Sequence, residues 1–342
     1  MSIFAVGIEL DGEGAHPRAA RRANQPSSGT ISGKTLSRRV AAAENAGFTF
    51  ATFDDSILPP SGDVRARVDA VARASFVAAT TSTIGLVPVV GTTYAEPFHT
   101  SSQLATLDYS SRGRAGWIPI RVTDPAAARA WGRPEMTSDA DRTREQRDSI
   151  TVARRLWDSW EDDAVIRHVA SGRFLDRDKL HYVDFQGESF SVKGPAIVPR
   201  PPQGQLVVFG TEDERDLVDV VLVRETPSSR TDALTVVEID VALDTADATA
   251  AERLESLGAA TAAGRTSYSG PAAGLTELLT DLASTADGVR LFPTVVDEDL
   301  PVLIRYVLPE LFQTGVAHRP VPGSTFRDNL GLARPVNRYE RV

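Results

Sequence analysis

Two adjacent carboxylates, Asp54 and Asp55, follow a short apolar run at residues 48–53. A carboxylate that closes a buried strand is well placed to transfer a proton or orient a ligand, because a parallel barrel gathers such residues at one end. The same position also suits an N-cap, where the side chain accepts from helix N–H groups. The five histidines, His16, His99, His168, His181 and His318, are scattered and show no metal-ligand spacing. With no cysteine in 342 residues, disulfides, thiolate zinc sites, iron–sulfur clusters and a thiol nucleophile are excluded. No P-loop, nucleophile-elbow, zincin or dinucleotide-binding signature is present, and Gly12-Glu13-Gly14 is only a GxG fragment. The chemistry therefore has to be sought in how the chain brings distant residues together.

Residues 3–10 are apolar and β-rich and read as a buried strand. Residues 11–29 follow as a long loop rich in Gly, Pro, Ser and Arg, a candidate functional or mobile segment. Ser32 stands where it can cap a helix over 33–46, with Leu36, Val40 and Ala43 on one face and Gly47 at the C-terminal end. The alternation continues with a strand at 48–53, a helix at 64–80, a strand at 84–90, a helix at 101–107 and a strand at 115–122. Near-continuous apolar strands alternating with helices specify a parallel sheet covered by helices. The rhythm breaks over about 123–200, an expected insertion with an amphipathic helix at 139–160 and a hairpin at 181–193 turning at Gln186-Gly187. It resumes with strands at 205–209, 217–223, 234–241 and 288–292, and helices at 248–263 and 274–286.

Eight strands are the number that closes a barrel. The expected fold is α/β, a (β/α)8 TIM-type barrel forming one domain over 1–342. It carries an insertion after strand four and shortened helices around strands five to seven. An open doubly wound sheet would need a crevice motif at a switch point, and none is found. Only ten residues, 224–233, separate strands six and seven, fewer than the dozen or so of a helical crossover. A wall short of helical cover is expected to need a partner surface, hence a homodimer or higher oligomer.

The net charge of −9 disfavours a nucleic-acid partner. No apolar stretch reaches the roughly 18 to 20 residues of a membrane span. MSIFAVGIEL has no basic n-region and reads as a strand rather than a signal peptide. A cytoplasmic protein is expected.

Several runs resemble one family. AENAGFTFATFDDS (43–56), IGLVPVVGTTYAEPFHTSSQLATLDYSSRGRAGW (84–117), LWDSWEDDAV (156–165), HYVDFQGESFSVKGP with PRPPQG (181–204) and LGLARPVNRY (330–339) agree in order and spacing with the luciferase-like flavin-dependent monooxygenases. The similarity is to their nitrilotriacetate and dibenzothiophene-sulfone branch. It implies that reduced FMN from a separate flavin reductase reacts with O2 and that a small organic substrate is oxidised. The cofactor supplies that chemistry, while the protein orients it and excludes water. Carried over residue by residue, the resemblance places Asp55 beside the flavin and Thr92 and Thr93 among the polar residues after strand three. It places Arg114 and Trp117 in the GRAGW run, where a structural role is also open. Gly210 and Thr211 open the turn that grips the phosphate. The implied cofactor-binding set is thus Asp55, Thr92, Thr93, Trp117, Gly210 and Thr211; no catalytic residue is assigned and no metal is expected.

This chain departs from the family at four places. Val89 replaces a threonine, Ile118 an asparagine near the flavin ring, and Arg142-Thr143 an arginine–tyrosine pair. The serine- and glycine-rich phosphate turn is replaced by Gly210-Thr211-Glu212-Asp213-Glu214-Arg215-Asp216, whose four acids are expected to weaken FMN binding through its phosphate. Two alternatives therefore stay open. One is a non-catalytic or weakly flavin-binding relative, such as a partner subunit. The other is a barrel enzyme that uses a deazaflavin.

Overall fold

The computed structural model describes residues 4–22, 31–58, 66–258 and 264–340. The chain order is β1 (Ala5–Glu9), α1 (Gly33–Ala46), β2 (Phe50–Phe53), α2 (Ala70–Ala78), β3 (Gly85–Gly91), α3 (Pro97–Ser110), β4 (Gly116–Ile120), α4 (Pro125–Trp131) and α5 (Asp139–Trp157). Short strands β5 (Val165–His168), β6 (Arg173–Leu175), β7 (Phe185–Gln186) and β8 (Ser191–Val192) form two hairpins. Then come β9 (Val207–Gly210), β10 (Val220–Val223), β11 (Leu234–Leu243), α6 (Ala250–Leu257), β12 (Thr266–Gly270), α7 (Ala272–Leu282), β13 (Gly288–Pro293), α8 (Val296–Val302), α9 (Leu308–Gln313) and α10 (Phe326–Asn329).

The eight expected strands pair in parallel in the order β10-β9-β4-β3-β2-β1-β13-β11, and β10 pairs back onto β11, so the sheet closes into a barrel. β11 is long enough to serve two strands on the edge opposite β13. Leu234–Val237 pairs with β10, whereas Ile239–Leu243 pairs with β12, a parallel strand outside the barrel that its polar sequence TSYSG did not announce.

Residues alternate between two apolar layers. Ala5, Phe50, Val87, Val207 and Val236 fill the barrel, while Val6, Ile8, Leu86, Trp117 and Val208 face the surrounding helices. The floor is closed by Phe326 of α10, fully buried and 5.8 Å from the ring of Phe50. Gly85 and Gly116 open β3 and β4 beside it, and a Cβ on either would come within 2.7 or 3.0 Å of the Phe326 ring.

α1 has the expected bounds and ends at Gly47 in the left-handed region (φ 97°). α3 begins four residues before the expected start because Glu96 accepts from the Phe98 and His99 N–H groups and Pro97 fixes the first turn. α2 begins only at Ala70, after an Asp69 cap. The expected helix start at 64–65, the expected helix end at 259–263, residue 3 of the first strand and positions 23–29 of the long loop lie outside the described residues.

No full helix joins β9 to β10 or β10 to β11 among the described residues, as the short spacings required. α5 from the inserted stretch supplies cover instead. Arg154 donates to the Leu217 carbonyl (2.8 Å) and pairs with Asp219 (2.8 Å), and Arg147 pairs with Asp216 (2.7 Å). Arg154 and Arg327 hold the Asp219 carboxyl below its ordinary range even though burial works against its charge.

Candidate active site

The C-terminal ends of the barrel strands form a mouth with two chemically distinct halves. β1, β2, β11 and β13 contribute Glu9, Thr52, Glu238 and Arg290, and these four meet. Arg290 (5% exposed) donates to Glu9 (2.5 Å), Glu238 (2.8 Å) and the Thr52 hydroxyl (2.9 Å), and Thr52 in turn donates to Glu9 (2.7 Å). Above them the Arg290 guanidinium lies 4.5 Å from the Phe292 ring centre, and Arg265, paired with Asp240, lies 3.9 Å from it. Asp54 follows β2 at the rim, its N–H bonded to Glu9 (3.1 Å). Burial first, and then the neighbouring Glu9 and Asp11 carboxylates, push its carboxyl up to about 6, with Arg290 and Arg67 pulling the other way. A group that titrates near neutrality at a barrel mouth is equipped for proton transfer. On β3 and β4 the mouth is apolar, because Val89 and Ile118 are paired in register, each 3% exposed.

The sequence-derived site residues fall elsewhere. Asp55 is half-buried and accepts from the Ser56 and Ala70 N–H groups (2.7 and 2.6 Å), tying down the entry to α2. Burial raises its carboxyl above the ordinary value, and the two N–H donors oppose this. Thr92 bonds the Ile120 carbonyl and Thr93 accepts from the Val122 N–H, so both clasp β3 to β4. Trp117 points outward from β4 and meets Trp157 of α5 edge-on at 6.4 Å. Thr92 and Trp117 do share a cavity, with Ser149 in its wall, but at about 10 Å³ it has room for roughly one water, not a flavin. Arg114 is fully buried and donates to the Ala78, Thr81 and Ile84 carbonyls and the Thr81 hydroxyl. The GRAGW arginine therefore holds the α2–β3 turn in place.

The fit of FMN turns on the stretch that the resemblance assigns to its phosphate. After β9 the chain makes a single 3-10 turn, Glu212–Glu214, rather than a helix. Glu214 turns inward, fully buried, and its carboxylate accepts from the Thr211 N–H (3.0 Å) and hydroxyl (2.8 Å). The donors a phosphate would use are thus held by an anion of the protein itself. The other acids face outward: Asp213 pairs with Arg121, Asp216 with Arg147 and Glu212 with Arg215. Gly210 is closed off by Val218, 2.7 Å from where a Cβ would stand. These residues do not fit an FMN phosphate.

The sequence pattern alone did not single out Glu9, Thr52, Glu238 and Arg290. Their signal is a lone charge at an inward position of an apolar strand, as in AVGIE and GVRLFP.

The profile described as luciferase-like monooxygenase matches residues 16–221. The chain belongs to that family. It is 41% identical over 128 residues to nitrilotriacetate monooxygenase component A of Aminobacter aminovorans, covering 37% of this chain and 28% of that one. The aligned stretches span less than half the length of the leading curated relatives. A pristinamycin IIA synthase component from Streptomyces pristinaespiralis aligns nearly end to end, 33% identical over 312 residues, 89% of this chain and 91% of that one. The solved EDTA monooxygenase from Chelativorans sp. BNC1 superposes with a TM-score of 0.81 over 97% of this chain and 99% of that one, at 18% identity, which shows a shared fold.

Proposed function

We propose that this family member is a component of a two-component flavin monooxygenase, in which reduced FMN from a separate reductase and O2 serve to oxidise a small organic substrate. The observation that carries this reading is the family match over residues 16–221, on a barrel whose mouth keeps a polar half with Asp54 beside Glu9 and Arg290. If the chain holds flavin itself, the polar groups at the strand ends are Asp54 and Asp55 after β2 and Thr92 after β3, with the phosphate left without its corner. The test is the reoxidation of photoreduced FMN by O2, with and without excess protein. A protein-dependent change in rate supports a flavin held by this chain.

A second reading is a partner subunit that leaves the flavin to a paralogous barrel. The Glu214 carboxylate on Thr211 favours it, as do the apolar Val89 and Ile118. So does the near end-to-end relative, which is one component of a synthase with more than one chain. Unchanged FMN reoxidation would select this reading. Under either reading we propose an oligomer, supported by the β5–β6 hairpin with its connecting turn, which exposes Val169 (93%) and Phe174 (59%). Static light scattering of the purified chain tests this. Nothing among the described residues favours a deazaflavin over FMN.

A further inference from the structure

The β5–β6 hairpin is apolar on both faces. Val165 and Leu175, paired in register, turn inward onto the cluster that holds Leu156, Trp160 and Val183. Side chains alternate along a strand, so their neighbours Ile166 (38% exposed) and Phe174 (59%) turn outward, and Val169 (93%) stands at the tip. A two-stranded hairpin is marginal by itself, and an apolar outer face in water marks a surface that a partner covers. The charge of the hairpin is as uneven. Residues 165–175 hold Arg167, His168 and Arg173 and no acid, in a chain of net charge −9. Arg167 makes no ion pair among the described residues, and Arg173 reaches only Asp176, at 3.3 Å on the surface.

At the base of the hairpin lies a surface of the opposite kind. A groove of about 850 Å³ runs between the residues before β5, those after β6 and the C-terminal Asn337, Tyr339 and Glu340. Six of the ten residues that line it are acids. Arg200 and Arg334 pair with Asp162, Lys179 with Asp163 and His181 with Glu161. Asp178 and Glu340 are left with no ion pair among the described residues, and the groove stays negative. The rings of His181 and Tyr339, stacked 4.0 Å apart, add an aromatic surface to its wall. An acidic chain repels its own copies, so association of two copies is favoured where a positive element of one faces a negative element of the other. The hairpin and the groove are such a pair, side by side on one chain. A patch that carries a projection next to its complement is self-complementary, which is what a two-fold interface requires.

We propose that the chain forms a two-fold homodimer in which the β5–β6 hairpin of each copy lies over the acidic groove of the other. Ile166, Val169 and Phe174 are covered there, and Arg167 and Arg173 are set against Asp178 and Glu340. This inference rests on the oligomer proposed above and gives it a specific face and a specific partner, a second copy of this chain. It is independent of whether the chain holds flavin.

The test is sedimentation velocity of the full chain at about 50 μM, in about 50 mM and about 500 mM salt. The wild-type chain is expected to run at twice its mass, with a dimer Kd that rises by about threefold or more at the higher salt. Reversing the hairpin (Arg167→Glu/Arg173→Glu) or the groove (Asp178→Arg/Glu340→Arg) puts like charges together and should weaken the dimer by about thirtyfold or more. All four positions are exposed, so both variants should melt close to the wild-type temperature. Mixed in equal amounts, the two variants again set opposite charges against each other at both contacts, and the mixed dimer should return to within about threefold of the wild-type Kd. Phe174→Ser removes apolar contact alone and should weaken the dimer by about tenfold. A wild-type chain that stays monomeric overturns this proposal together with the oligomer proposed above. A wild-type dimer that survives either reversal unchanged, or folded variants that stay apart on mixing, overturns this interface alone.

Discussion

Arg290→Met removes the one cation that holds two buried carboxylates at the barrel mouth. Glu9 and Glu238 are 6% and 8% exposed, and Arg290 reaches them at 2.5 and 2.8 Å while also donating to Thr52. Arg224 lies 3.9 Å from Glu238 but is itself 64% exposed, so it compensates little. Breaking a buried pair from one side costs about 3 to 5 kcal/mol, because a charge stays behind in low dielectric. Against a typical total stability of about 5 to 15 kcal/mol this is a large fraction. The loss should depend on pH with a definite sign. The loss should be larger at pH 8 than at pH 5, because a buried carboxyl left without its cation destabilises the fold only in its charged form. The assay is urea unfolding at pH 5 and pH 8, with Arg290→Met/Glu9→Gln/Glu238→Gln as companion. The triple variant has no stranded charge and should recover most of the loss, since neutral, well-packed substitutes for buried ion groups are often near neutral in stability. A loss below about 1 kcal/mol in the single variant, or a triple variant no better than the single one, would refute these roles at the mouth.

Other outcomes follow from the same contacts. Asp54, raised to about 6 by burial and by Glu9 and Asp11, favours the folded state when protonated, so its contribution is fully present below pH 3.8 and is lost as pH rises through about 6. Asp54→Asn should therefore flatten the fall in urea midpoint between pH 4 and 7, and an unchanged slope would show that Asp54 does not titrate in that window. Arg114→Met strands the carbonyls of Ala78, Thr81 and Ile84 and should cost about 3 kcal/mol or more, with Arg114→Lys recovering only part, as read by thermal unfolding. Glu214→Ala removes the cap on Thr211 and should lower stability by about 1 kcal/mol, as read by urea unfolding.

The barrel was legible because its strands are buried on both faces and so read as apolar runs, each bounded by a helix or a turn. The family runs were legible too, but they serve the framework here. Arg114 holds a turn, Glu96 and Pro97 start α3, and Asn337 of the C-terminal run donates to the Asp158 and Trp160 carbonyls. Asp54 and Asp55 show why the site was harder to read. They are adjacent, yet one titrates at the mouth while the other accepts from the Ala70 N–H, and only the direction of the chain after β2 separates the two roles. The acidic stretch after β9 gave the sign of the phosphate problem. It did not reveal that three acids would pair outward while Glu214 turned in, since that depends on the geometry of one 3-10 turn. β12 was missed because its residues are polar and only β11 supports it.

The central claim is that the corner after β9 is filled by the protein's own carboxylate and offers nothing to an FMN phosphate. A phosphate within a few ångströms of the Glu214 carboxylate would meet a repulsion of about 4 kcal/mol per unit charge at an effective dielectric near 20. Helix-dipole attraction of at most about 2 kcal/mol does not offset this, and the 3-10 turn is shorter than a full helix. The most direct measurement is parallel equilibrium titration of the purified chain with FMN and with phosphate-free riboflavin, in both redox states. The two flavins are expected to bind within about threefold of each other, weakly or not at all. FMN binding at low micromolar Kd and more than about tenfold tighter than riboflavin would contradict the claim.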